Sequence, residues 1–203
     1  MEYPSNYIDM FEFSQSYGRI NEAPAKIIFS NLLHAVRLLI DQKIFHRDLK
    51  DENILLNPST LDIKIIDFGC ATYYTDTIHT RLSGTPEFMP PEAIEKGEYT
   101  AEGATVWSLG VILFTLINGR LPYEDIHNFN NRTEVSFLPQ FLTQKFYPFF
   151  DQFSTRFYQP KNFPKLTYFS VFNEYFIGDK IFCGINDDNQ SIESNQFFGF
   201  AKL

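Results

Sequence analysis

Apolar residues recur at helical spacing between residues 25 and 42. The positions concerned are Ile28, Leu32, Ala35, Val36 and Leu39. Most of these intervals are three or four residues, so the pattern predicts a helix with a single buried stripe. Asn21 can cap the start of this helix, and Pro24 is well tolerated in a first turn.

Two short apolar runs, at residues 54–56 and 63–66, follow this helix. The turn-forming triplet NPS comes directly after the first run, at residues 57–59. The two runs therefore predict a two-stranded β-hairpin. Near the start of the chain, the pattern predicts one more short helix, over residues 8–13.

A second long helix is predicted over residues 104–117, where apolar residues occupy nearly every side. Such a helix belongs in a core, and Asn118 and Gly119 provide its end. Helices thus dominate the prediction, with the hairpin as a minor component. The fold class predicted for this part of the chain is mainly α.

The pattern changes near residue 128. Beyond it, phenylalanine and asparagine are frequent, and no helical period lasts more than a turn or two. Prolines interrupt this stretch at Pro139, Pro148, Pro160 and Pro164. Proline breaks helices, so we predict one domain over residues 1–126 and an irregular or disordered, aromatic-rich tail over residues 127–203.

Composition narrows the possible partners. The chain has 203 residues, of which 44% are hydrophobic, and a formal net charge of −8. The negative charge argues against nucleic acid and against a membrane surface as partners, and we expect a monomer. Cys70 and Cys183 lie too far apart in sequence for a CxxC pair, which favours a reducing compartment, the cytoplasm or the nucleus.

Four motifs then occur in order. Residues 46–53 read HRDLKDEN, residues 67–69 read DFG, residues 84–92 read GTPEFMPPE, and residues 106–110 read VWSLG. Their order and spacing resemble the C-terminal lobe of a eukaryotic-type serine/threonine protein kinase. The glycine-rich loop and the VAIK-type lysine of that family have no counterpart in the sequence, so we expect the N-terminal lobe to be missing.

The resemblance implies a role for each polar residue of these motifs. Asp48 would orient the substrate hydroxyl, Lys50 would offset charge on the γ-phosphate, and Thr85 would hydrogen-bond both. Asn53 and Asp67 carry hard oxygen ligands suited to Mg²⁺. Small-molecule kinases have a similar loop, but the GT…PPE segment favours a protein kinase.

Finer details are similar to the Pim branch and its PAS-kinase relatives. Most kinases have an aspartate where this chain has Thr105, and Pim kinases have a small residue there. Pro4 would fall where most kinases offer adenine a backbone N–H, which proline lacks. The residues that would bind ATP by this resemblance are Glu2, Asp9, Glu52, Leu55, Ile66 and Asp67.

Four acidic residues would line the substrate cleft: Asp9, Glu12, Asp51 and Glu52. Paired carboxylates bind arginine well, so the predicted substrates are proteins with basic residues before the target Ser or Thr. The alternative interpretation of this cluster is a solvated acidic face. For the whole chain, the function implied is ATP-dependent protein serine/threonine kinase, and the alternative is an inactive kinase-lobe fragment that acts as a binding module.

Overall fold

The computed structural model describes residues 4–122. Four α-helices occur in this part of the chain: α1 (Met10–Tyr17), α2 (Glu22–Asp41), α3 (Pro91–Lys96) and α4 (Ala101–Asn118). Five short strands accompany them: β1 (Ile8–Asp9), β2 (Ile44–Phe45), β3 (Ile54–Leu56), β4 (Ile63–Ile65) and β5 (Thr72–Tyr73). The predicted tail over 127–203 lies outside the described residues, so the division at residue 126 stays a prediction.

The apolar stripe of α2 is buried as the sequence predicts. Ile28 and Leu32 are fully buried, and they join the main hydrophobic cluster together with residues of α4. The helix begins three residues before the predicted start, with Asn21 in the N-cap position. Asn21 makes no side-chain capping hydrogen bond; an ion pair of 2.8 Å between Glu22 and Lys26 supports the first turn instead.

Helix α4 is the centre of the core. It is buried on all sides over most of its length, which explains its mostly apolar sequence. Thr100 caps its start by accepting a hydrogen bond from the Gly103 N–H, and Gly119 ends it in a left-handed conformation at φ 68°. Both α2 and α4 are long and apolar enough to cross a bilayer by length and composition, a property that core helices share.

The predicted hairpin is confirmed. Strands β3 and β4 pair antiparallel, with Ile54 opposite Ile65 and Leu56 opposite Ile63. Strand β1 adds a third strand to this sheet by pairing with β3.

The prediction of a helix over residues 8–13 is therefore partly wrong. Asp9 is extended, at φ −71° and ψ 156°, and its side chain accepts a hydrogen bond from the Glu12 N–H. This N-cap starts the helix only at Met10, and the helix then continues to Tyr17. Residues 8 and 9 are thus free to pair with β3.

A second, two-stranded sheet positions the catalytic-loop motif. Strand β2 immediately precedes this motif, and it pairs antiparallel with β5, which follows the DFG motif. Ile44 lies opposite Tyr73, and Phe45 lies opposite Thr72. Because the two strands are fixed to each other, the loops that carry the HRDLKDEN and DFG motifs are held side by side.

Candidate active site

His46 is a structural residue of the loop. Its Nε2 lies 3.0 Å from the carbonyl oxygen of Ile66, and its Nδ1 lies 3.3 Å from the Asp48 N–H. These contacts fit a neutral ring that donates from Nε2 and accepts at Nδ1. Burial lowers the pKa of His46, which keeps the ring neutral. His46 therefore ties the catalytic loop to the strand that precedes the DFG motif.

The carboxylate of Asp48 is held at both oxygens. Its Oδ1 accepts hydrogen bonds from the Thr85 N–H at 2.8 Å and from the Thr85 hydroxyl at 2.7 Å. Its Oδ2 accepts from the Asn53 amide at 3.2 Å, and the same amide also donates to the Asp48 carbonyl oxygen. These contacts from two separate segments fix the orientation of the carboxylate.

Lys50 places a positive charge beside this carboxylate. Its Nζ donates to the Thr85 hydroxyl at 2.9 Å and lies 3.8 Å from Asp48 Oδ2. The side chain of Glu52 approaches the same ammonium at 4.0 Å. The predicted hydrogen bonds of Thr85 to both Asp48 and Lys50 are therefore present.

Gly84 makes the contact between Thr85 and Asp48 possible. Its φ is 113°, and a Cβ at this position would lie 2.3 Å from the carbonyl oxygen of Arg47. No side chain fits at that distance, so only glycine allows the two segments to approach so closely. Gly84 was not among the site residues predicted from the sequence, although its place directly before Thr85 was the available signal.

Arg47 contributes through its backbone and its side chain. It adopts a left-handed conformation at φ 67°, and its Nε donates to the carbonyl oxygen of Cys70, just after the DFG motif. A non-glycine residue in this conformation is strained, which is common where a loop is held for function. The Arg47 side chain thus joins the catalytic loop to the segment after the DFG motif.

Asn53 and Asp67 offer the oxygens of a metal site. The Ile66 N–H donates to the carbonyl oxygen of Asn53 at 3.0 Å, which keeps Asn53 close to the DFG motif. Because the Asn53 amide nitrogen is engaged by Asp48, its Oδ1 is the atom left for a metal. Asp67 is exposed, and its Oδ1 accepts from the Gly69 N–H at 3.2 Å. Such hard donors fit a divalent cation that takes its remaining ligands from phosphates and water.

In residues 4–122, no group of three or more His, Cys, Asp or Glu side chains could hold a metal by itself. The predicted protein ligands are therefore the Asn53 amide and the Asp67 carboxylate. This composition suits a cation that arrives with a nucleotide better than a permanently bound structural metal.

The structure describes some, but not all, of the residues predicted to bind the nucleotide. Leu55 is buried at 3% exposure, on the face of β3 opposite its neighbours Ile54 and Leu56, and Ile66 is half-buried. Asp9 lies opposite Leu55 in the sheet and caps α1. Glu2 lies outside the described residues.

The Thr105 hydroxyl is engaged within its own helix and not with the catalytic loop. It donates to the Ala101 carbonyl oxygen at 2.7 Å, one turn back in the same helix. Thr105, Ser108 and Arg47 line a small pocket between α4, the catalytic loop and the segment around Phe88. The helix therefore does not support the loop directly through the side chain at position 105.

The four predicted substrate-binding acids have different environments. Glu12 is exposed, and the Glu52 side chain is 48% exposed, so both are open to a basic ligand. Asp51 is 4% exposed, which argues against its predicted contact with substrate. The reason is that Asp51 begins a 3-10 helix, Asp51–Asn53, which packs against α1.

We expect Asp51 to make stability depend on pH. Burial, and secondly the neighbouring Glu52, raise the pKa of Asp51 from 3.8 to about 7. The folded state then binds the proton of the Asp51 carboxyl group more tightly than the unfolded state does. The stabilisation that this proton gives to the folded state is complete below pH 3.8 and is lost as the pH rises through about 7. Between pH 5 and pH 8, the free energy of unfolding of the unsubstituted chain should fall by on the order of 2 kcal/mol relative to that of Asp51→Asn.

Urea denaturation of both proteins at the two pH values measures this difference. Asp62→Asn is the matched control, because Asp62 is an exposed aspartate in the β3–β4 turn. Parallel pH profiles for the unsubstituted chain and Asp51→Asn would show that Asp51 is ionised in the folded state throughout this range.

Comparison with known proteins identifies the family. The model of the protein kinase domain matches residues 1–163. The chain belongs to the protein kinase domain family. The family resemblance inferred from the four motifs is thereby confirmed.

Individual relatives agree with this assignment. The serine/threonine-protein kinase prk-2 of Caenorhabditis elegans is 40% identical over 125 residues, which are 62% of this chain and 28% of that protein. The serine/threonine-protein kinase pim-2 of Danio rerio is 40% identical over 123 residues, 61% of this chain and 40% of that protein. The sucrose non-fermenting protein kinase 1 of Fusarium virguliforme is 42% identical over 120 residues, 59% of this chain and 17% of that protein.

These relatives are consistent with a Pim-like branch. The chain matches well under half the length of each of the three. The kinase family implies ATP and a divalent metal as cofactors and proteins as substrates. The family match extends past residue 126, where the sequence pattern placed the end of the kinase part.

Proposed function

We propose that this chain provides the C-terminal lobe of an ATP-dependent protein serine/threonine kinase. The observation that carries the proposal is the environment of Asp48. Thr85 holds one oxygen of this carboxylate through two hydrogen bonds, and Lys50 stands 3.8 Å from the other oxygen. A carboxylate fixed beside a cation is what alignment of a hydroxyl for attack on a phosphoryl group requires.

The two carboxylate oxygens of Asp48 differ in the number of hydrogen bonds that they already accept. Oδ1 already accepts two hydrogen bonds from Thr85, whereas Oδ2 accepts one, from Asn53. Oδ2 therefore has the room to accept the hydrogen of a substrate hydroxyl. In the proposed reaction, the hydroxyl oxygen forms a bond to the γ-phosphorus, the bond from phosphorus to the bridging oxygen breaks with ADP as leaving group, and the hydroxyl proton passes to Asp48.

The cofactors of the proposed reaction are ATP and Mg²⁺. Asn53 and Asp67 supply only oxygen ligands, and Mg²⁺ prefers oxygen and commonly shares its coordination with phosphates. The Lys50 ammonium would offset negative charge on the transferred phosphoryl group. Glu2, Asp9, Glu52, Leu55 and Ile66 are proposed to contact the nucleotide around this centre.

A chimeric catalytic domain tests the function. Residues 1–126 would replace the corresponding part of a Pim-type kinase, and transfer of labelled γ-phosphate to a serine peptide would be measured. Turnover that depends on Mg²⁺ and on Asp48 is the expected result. A folded chimera without transfer would contradict the proposal and favour the alternative, a kinase-lobe fragment that only binds partners.

We further propose that the substrates are proteins with basic residues before the target Ser or Thr. Glu12 and Glu52 are the exposed members of the predicted acidic cluster, and Glu52 lies four residues after Asp48 in the HRDLKDEN motif. With a net charge of −8, the chain is proposed to act as a monomer in the cytoplasm or nucleus, without nucleic acid or membrane partners.

Substrate preference can be measured with paired peptides in the chimera. A peptide with arginine three positions before the serine should have a kcat/KM roughly ten- to hundredfold above that of its alanine counterpart, because a guanidinium–carboxylate bond contributes about 1.5–3 kcal/mol. The double change Glu12→Gln and Glu52→Gln should reduce this ratio towards one.

The matched control is the double change Glu95→Gln and Glu98→Gln, which removes two exposed carboxylates in and after α3. The control should leave the ratio unchanged. An arginine preference that persists after loss of Glu12 and Glu52 would assign the recognition to other residues.

A further inference from the structure

Ser108 connects the buried helix α4 to the segment that contains Thr85. Its side chain is 8% exposed, and its hydroxyl lies 2.9 Å from the carbonyl oxygen of Phe88 and 3.0 Å from that of Ala104. Phe88 ends the short 3-10 helix Pro86–Phe88, which directly follows Thr85. The bond to Phe88 therefore joins the core helix to a neighbouring segment.

Hydrogen bonds continue from Phe88 to the catalytic carboxylate. The Phe88 N–H donates to the Thr85 carbonyl oxygen at 3.0 Å, and the Thr85 N–H donates to Asp48 Oδ1 at 2.8 Å. Each step uses a backbone group, so the path is independent of side-chain rotamers between Ser108 and Asp48. The buried Phe88 side chain packs in the main hydrophobic cluster and restrains the middle of the path.

The other two hydroxyl side chains of α4 behave differently. Thr105 donates to the Ala101 carbonyl oxygen at 2.7 Å, and Thr115 donates to the Val111 carbonyl oxygen at 2.9 Å. Both bonds stay within the helix, one turn back. Of these three hydroxyls, that of Ser108 has an acceptor outside its own helix: its single hydrogen is shared between the Phe88 and Ala104 carbonyl oxygens.

We propose that Ser108 is a positioning residue that sets the geometry of Thr85 and, through it, of Asp48. This inference rests on the proposed phosphoryl transfer, which gives the orientation of Asp48 its purpose. Loss of the Ser108 hydroxyl removes the donor to the Phe88 carbonyl oxygen, so the 3-10 turn gains freedom relative to α4. Thr85 then holds the carboxylate in a wider range of orientations.

Amide hydrogen exchange, followed by NMR in the complete 203-residue chain, tests the proposal without requiring turnover. In Ser108→Ala, exchange at the Thr85 and Phe88 amides should accelerate at least about tenfold more than at core amides such as that of Leu32. Ser108→Thr keeps a hydroxyl and should restore slow exchange. Thr115→Val, which removes a hydroxyl bond internal to α4, should leave the two amides at the rate of the unsubstituted chain.

Several results would overturn the proposal. Unchanged exchange at Thr85 in Ser108→Ala would do so, and so would equal acceleration at Leu32, or the same effect in Thr115→Val. If Ser108→Ala does not fold, Ser108→Cys provides the comparison, since a thiol of similar size is a weak donor. Its exchange at Thr85 should also exceed that of the unsubstituted chain, and an unchanged rate would again contradict the role.

The chimeric domain separates this inference from the proposed function. There, Ser108→Ala should lower kcat with little change in KM for the peptide, because the substrate is bound but its hydroxyl is held less well. A rise in the KM for the peptide with an unchanged kcat would contradict a positioning role. A chimera that never transfers phosphate would defeat the proposed function, while the exchange rates would still decide whether Ser108 fixes Thr85.

Discussion

Replacing Asp48 with asparagine is expected to lower kcat/KM of the chimeric catalytic domain about a thousandfold, the range associated with loss of a positioned general base. The hydrogen bonds around Asp48 explain why. Two donors from Thr85 meet Oδ1, so the remaining oxygen of an asparagine would take that position. The new NH₂ group would then occupy the position of Oδ2, where it faces another donor, the Asn53 amide, and cannot accept the substrate proton.

The measurement is the initial rate of peptide phosphorylation with the fold checked by circular dichroism. Asp62→Asn is the matched control, since it changes an exposed aspartate whose carboxylate accepts only local hydrogen bonds, from the Thr60 hydroxyl. The control should retain full activity. If Asp48→Asn retained more than about a tenth of the original activity, the carboxylate would lower the barrier by less than about 1.4 kcal/mol. That result would refute its proposed role.

The second large effect is expected at Asp67. Asp67→Asn should lower kcat/KM by about two to three orders of magnitude, because a neutral amide is a weaker ligand for Mg²⁺ than a carboxylate. The substitution is conservative for the loop itself. Asp67 has φ 60°, a left-handed conformation that asparagine also tolerates, and an asparagine Oδ1 can still accept from the Gly69 N–H.

A metal titration distinguishes lost coordination from a distorted loop. For Asp67→Asn, the Mg²⁺ concentration that gives half-maximal activity should rise, with partial recovery of the rate at high metal. Asp76→Asn, an exposed aspartate after β5, is the control and should show the original metal dependence. An unchanged metal requirement in Asp67→Asn would remove this residue from the metal site.

The sequence determined the elements that repeat a local pattern. The stripe at Ile28 and Leu32 predicted α2, the apolar runs predicted β3 and β4, and the mostly apolar stretch around Leu109 predicted α4. These features depend on residues a few positions apart, so periodicity records them. Helix ends were less accurate: α2 and α4 each begin three residues before the predicted start, where the Glu22–Lys26 ion pair supports the first turn of α2 and the Thr100 side chain caps α4.

The motifs likewise identified most of the candidate site. Asp48, Lys50, Asn53 and Thr85 were chosen from the sequence by family resemblance, and the structure brings their side chains together. Their predicted catalytic and metal-binding roles stay predictions. The resemblance could not supply the environment of Asp51, whose burial depends on packing against α1.

Tertiary structure alone decided the contacts between distant segments. The approach of Gly84 to Arg47, the two bonds from Thr85 to Asp48, and the bond from Ser108 to Phe88 join residues 20 to 37 positions apart. Strand β1 is a further case, because a two-residue strand has no period of its own and forms only where β3 offers a free edge. Such contacts depend on how closely backbones can pack and on which buried polar groups need partners. Neither property can be predicted from short-range sequence patterns.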